Sequence, residues 1–233
     1  MNIARIAIGT GLLLATIGTA AASAQGELPA EKNVVAEAAW VPSDSTVMDK
    51  VWFLFTEEPQ KQMRSTLLHL SQREQDEAAR TVLTTADYLR LETIRARGAE
   101  LTELQQAIAG LDKLAEQISL GDVTEPEQVG KPFNEALLAL ARFHYGQAQK
   151  ALTRLDNREF GQELKALAAV LDYGLTSNVQ GLEPNVLADL TQARTVADSL
   201  KVGDETKPDS GYDQLMARLN SDIGLLARHG HGV

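Results

Sequence analysis

The chain has 233 residues, with 22 basic against 32 acidic for a net charge of −10, and it contains no cysteine. Without a thiol it has no disulfide, no lipid-bearing cysteine, no c-type haem attachment and no thiol nucleophile. The acidic excess argues against a nucleic-acid backbone or an anionic bilayer as partner, because both select basic surfaces.

Residues 1–24 read as a secretory signal: Arg5 in a short basic start, an apolar run over residues 6–17, and Ala22-Ser23-Ala24 as a small-residue cleavage site. The expectation is an exported protein, cleaved after Ala24, in a bacterial periplasm. No later stretch reaches the roughly 18 apolar residues that a membrane span needs, so no transmembrane segment is expected in the mature chain. Residues 25–45 lack periodicity and contain two prolines. They are expected to form an extended arm anchored by Trp40.

The rest is predicted to be all-α. Ala and Leu dominate the apolar set, and only 5% of residues are aromatic, which is helix-forming composition. Apolar residues at helical spacing predict helices over residues 46–70, 74–97, 100–120, 132–155, 157–177, 184–202 and 212–229. Val51 to Phe55 has strand-like composition and is open to either reading, and Pro59 either kinks the first helix or restarts it. Ser71 with Glu74, and Asp156 with Glu159, have capping-box spacing. Gly98, Gly121, Gly181 and Gly203 are expected just past helix ends.

These elements repeat. At an offset of 85, Leu67 falls on Leu152, Val82 on Leu167, and Asp87-Tyr88 on Asp172-Tyr173; further on, Gly121-Asp122 falls on Gly203-Asp204 at 82. The chain is therefore expected to hold a three-helix unit over residues 46–130, a second over 131–211, and a terminal helix and tail over 212–233. The units either stack as a short solenoid or close into one bundle. Residues 138–172, with small residues at Ala141, Gly146, Ala148 and Ala151 facing Phe160 and Leu164, resemble a tetratricopeptide-type helical hairpin. The period near 84 differs from that family's 34, so none of its groove residues carries over. The chain also resembles exported all-helical proteins without an assigned activity.

Metal-binding HExxH and Glu-x-x-His patterns, phosphate-binding glycine loops and a GxSxG elbow are all absent. No catalytic residue, metal or cofactor is assigned. The candidate binding residues are the repeated pairs Asp87-Tyr88 and Asp172-Tyr173, where a tyrosine can bury its ring while its hydroxyl reaches a partner. His144 joins them, flanked by Phe143 and Tyr145 in the most apolar helix. Each also has a plain reading as a packing position. The expected function is a non-catalytic scaffold or adaptor for another envelope protein. The alternative is a small-molecule or metal carrier that uses space between helices.

Overall fold

The computed structural model describes residues 57–178, 182–200 and 210–229. The signal segment, the arm with Trp40, Val51 to Phe55, Gly181, the loop containing Gly203 and the terminal tail lie outside the described residues. Among the described residues all regular structure is helical: α1 (Glu58–Ser71), α2 (Gln75–Glu92), α3 (Ala99–Leu120), a 3-10 turn (Pro126–Val129), α4 (Gly130–Arg154), α5 (Asn157–Asn178), α6 (Pro184–Ser199) and α7 (Ser210–His229). Among the described residues this is the all-α set of seven helices that the apolar periodicity predicts.

Local chemistry explains the boundaries. Pro59 and Pro184 occupy the first turns of α1 and α6, where a missing N–H costs nothing and the fixed φ suits the helix. Gly121 stops α3 in the left-handed conformation at φ 80°, and the Asp122 N–H donates to Gln117 O at 2.9 Å. Asp156 begins α5 as expected, its Oδ1 accepting the Glu159 N–H at 2.9 Å. Two punctuation marks differ from expectation. Ser71 is the last residue of α1, its hydroxyl donating to Leu68 O, while Glu74 takes the His69 ring instead of capping α2. The turn is made by Arg73 at φ 61°. Gly98, at φ 57°, stands immediately before α3 rather than directly behind α2.

Each helix packs on the next in sequence from α1 to α7, and α7 returns onto α4 and α5. α4 is the central element, burying Ala136, Leu137, Leu140, Ala141, Phe143, Ala148 and Ala151. Each large apolar side chain placed in this core contributes about 1.5–3 kcal/mol of transfer free energy. α5 approaches α6 and α7 closely at two glycines. A Cβ on Gly161 would lie 3.2 Å from Ala197 O, and one on Gly174 would lie 2.8 Å from Leu226 Cδ1.

Burial fits α2 on α5 at an offset of 85 and also at 82, and the next helices and their ion pairs favour 82. At an offset of 82, buried Ala78, Ala79, Val82, Ala86 and Leu89 of α2 fall on buried Phe160, Gly161, Leu164, Ala168 and Leu171 of α5. At the same offset Leu104, Ile108, Leu111 and Ala115 of α3 fall on Val186, Leu190, Ala193 and Ala197 of α6, all buried. An ion pair follows the same rule with its signs exchanged. Arg90 bridges to Asp112, and Asp172 is bridged by Arg194. In this register Tyr88 corresponds to Val170, not to Tyr173. The Asp-Tyr identity at 85 lies one helical turn from this register and buries the same face of α5, so the ion pairs and the α3 and α6 core are what favour 82.

Candidate functional site

A cavity of about 640 Å³ separates α1 from α5 and α6, lined among the described residues by Arg64 and Leu67 from α1, Ala169, Asp172, Tyr173, Thr176 and Ser177 from α5, and Arg194 from α6. Its volume lies within the roughly 300–1,000 Å³ of small-molecule sites. Helix spacing brings these side chains together: 169, 172, 173 and 176 share one face of α5, and 60, 64 and 67 share one face of α1.

The charges in the cavity are unequally satisfied. Both oxygens of Asp172 are occupied, Oδ1 by the Thr176 hydroxyl at 3.3 Å and Oδ2 by Arg194 Nη2 at 2.6 Å. Glu57 and Gln60 also line the space and have partners of their own. Arg64 is different. Its guanidinium carbon lies 5.1 Å from the ring centroid of Tyr173, a cation-π stack, and no carboxylate pairs with it among the described residues. Burial pushes the Tyr173 phenol above its ordinary range, with the Ser177 hydrogen bond and the Arg64 charge opposing. The ring therefore stays a neutral hydrogen-bonding group at physiological pH.

Tyr88 and His144 belong to a second assembly, away from the cavity. The Tyr88 hydroxyl donates to Glu92 Oε1 at 3.1 Å, and Glu92 Oε2 meets Arg95 Nη2 at 3.2 Å. The same Arg95 nitrogen reaches Glu163 Oε1 at 2.8 Å, and Glu163 Oε2 lies 2.7 Å from His144 Nδ1. This chain ties α2 to α5 and α4. The Arg95 to Glu163 contact is close without being a well-aligned hydrogen bond. The Arg95 guanidinium also covers the Phe143 ring at 5.2 Å. Burial alone would raise the Glu163 carboxyl, but the His144 hydrogen bond and charge together with Arg95 hold it below the usual carboxylate range. Tyr88 is pushed far up by burial and by Glu92.

Of the five residues singled out in the sequence, the structure brings Asp172 and Tyr173 into the cavity and joins Tyr88 to His144 through three intervening side chains. Asp87 is exposed and pairs with Arg90 on its own helix. In the packing register the counterpart of Tyr173 is Leu91, which is half exposed, so the second unit's cavity wall has no twin in the first. Arg64, Arg194 and Glu163 escaped notice in the sequence. Glu163 carried one usable signal, a carboxylate inside an otherwise apolar helical stripe.

No family model matches this chain, and neither the curated proteins nor the solved structures compared with it gave a match. Function is therefore argued from the site's own geometry. Among the described residues no group of three or more His, Asp or Glu is placed to hold a metal ion, and no helix is long and apolar enough to cross a membrane.

Proposed function

We propose that this chain is an exported, non-catalytic binding protein that holds a small molecule in the cavity between α1, α5 and α6. One observation carries the reading: Arg64 faces a ligand-sized space with the Tyr173 ring as its partner and, among the described residues, no carboxylate to neutralise it. Arg64 is exposed, and its planar guanidinium is free to take an anionic group that enters this space. The non-catalytic part rests on the absence from the sequence of the metal, phosphate-loop and nucleophile-elbow patterns, and Asp172 serves as a partner of Arg194 and Thr176. Export to the periplasm rests on the character of residues 1–24.

Thermal unfolding of residues 25–233 against a panel of small metabolites tests the proposal. A ligand held at about 100 times its Kd stabilises by about 2.7 kcal/mol, a shift of several degrees. That shift should disappear in Tyr173→Ala, and a panel without any such response would remove the reading.

A second reading, a scaffold or adaptor for another envelope protein, is favoured by a different surface. Leu83, Leu91 and Ile94 are exposed along one side of α2 and the turn that follows, interleaved with Asp87 and Arg90. Exposed apolar side chains ringed by charge suit a protein partner. Crosslinking in native envelope extract should then recover one stoichiometric partner from the wild type and none from Leu91→Asp/Ile94→Asp.

A further inference from the structure

We infer that the molecule this cavity takes is a small organic carboxylate, its carboxylate paired with the Arg64 guanidinium and its apolar body laid against Leu67, Ala169 and the Tyr173 ring. The inference rests on the small-molecule reading above and adds the chemical class. Four groups in or beside the space carry charge, and their pairing decides the sign of the ligand. Asp172 is neutralised by Arg194 at 2.6 Å and further held by Thr176, and Glu57 is engaged. Arg64 retains its N–H donors, since stacking over a ring uses the face of the guanidinium and leaves the planar fork open. That fork matches a carboxylate bidentately.

The stack also fixes where the fork points. Guanidinium and phenol ring are held together on opposite walls, Arg64 from α1 and Tyr173 from α5, so the donor plane is positioned before a ligand arrives. Pre-positioning lowers the ordering cost of binding. A cationic ligand would meet Arg64 and Arg194, with Asp172 already paired to Arg194. A phosphate dianion carries twice the charge that one free guanidinium balances. A monocarboxylate meets neither difficulty.

The test uses residues 25–233 and matched probes: phenylacetate, phenylacetamide and phenethylamine, the parallel octanoate, octanamide and octylamine, and inorganic phosphate. Calorimetry and thermal shift should show the carboxylate of each set binding at least about tenfold more tightly than its amide or amine, the value of one charge-assisted hydrogen bond, with phosphate weaker still. Arg64→Ala should abolish that preference and Arg64→Lys should keep part of it. Because the probe comparison is made on the unaltered chain, it stands even where a variant folds poorly. Amides or amines binding as well as the acids, or phosphate binding better, would overturn the carboxylate inference and leave the small-molecule reading in place. Failure of every probe class to bind would remove both.

Discussion

Glu163 Oε2 lies 2.7 Å from His144 Nδ1 with the two side chains 0% and 1% exposed, and Arg95 closes the other side of the carboxylate. Charges taken this far out of water are costly to leave alone. Glu163→Ala should therefore cost about 3–5 kcal/mol in urea unfolding, whereas Glu163→Leu with His144→Phe should recover most of it. The Glu163 carboxyl is lowered in the folded state. Its contribution is therefore present above the unfolded carboxylate pKa, near 4.3, and lost as pH falls through the lower folded value. Glu163→Gln should flatten that acid limb. An acid limb equal to that of the wild type would show that the pair does not couple to folding.

Asp222 on α7 titrates in the opposite sense. It is 4% exposed and its Oδ2 has no hydrogen-bond partner. Burial, Asp189 and Glu183 push its carboxyl up to about 6, against the pull of Arg218. A raised carboxyl contributes stability that is complete below the unfolded value, near 3.9, and is lost as pH rises through about 6. Asp222→Asn should be more stable than the wild type by about 1–2 kcal/mol at pH 7.5, with the advantage gone near pH 4. Arg218 pairs with Asp189 at 2.6 Å, so the substitution should leave it with that partner. A constant difference between the two proteins across this range would refute the assignment.

Exchanging the signs of the Arg90 and Asp112 pair tests the register of 82. Its counterpart, Asp172 with Arg194, already carries the reversed arrangement at the same sequence separation of 22. Arg90→Ala should cost less than about 1 kcal/mol, as exposed pairs do. Arg90→Asp alone should cost more, through repulsion from Asp87 and Asp112, and adding Asp112→Arg should restore much of the loss. Melting temperatures of the wild type, Arg90→Asp, Asp112→Arg and the double variant form the cycle.

Two glycines should resist alanine. In an exposed helix interior Gly→Ala gains up to about 1 kcal/mol, but a Cβ at Gly174 would meet the buried Leu226 at 2.8 Å and one at Gly161 would press on the Ala197 carbonyl at 3.2 Å. Overpacking of this kind costs about 1–3 kcal/mol. Gly174→Ala should lower the melting temperature, and Gly174→Ala with Leu226→Val should regain part of it. An increase in the single variant would show that α5 and α7 are less tightly packed than described.

The sequence by itself determined the helices and most of their ends, because apolar periodicity, first-turn prolines and the Asp156 cap act within a few residues of where they stand. It also showed that the chain repeats itself. Only the tertiary structure decided the packing register. Letter identity favoured matching Asp87-Tyr88 with Asp172-Tyr173, and because a shift of three residues leaves the same face buried, it was the bridges between helices, Arg90 to Asp112 and Asp172 to Arg194, that favoured 82. The same distinction separates the candidate residues. Tyr173 stacks with Arg64, more than one hundred positions away, and His144 pairs with Glu163 on the neighbouring helix. No local pattern records either pairing, because each forms only when distant helices meet.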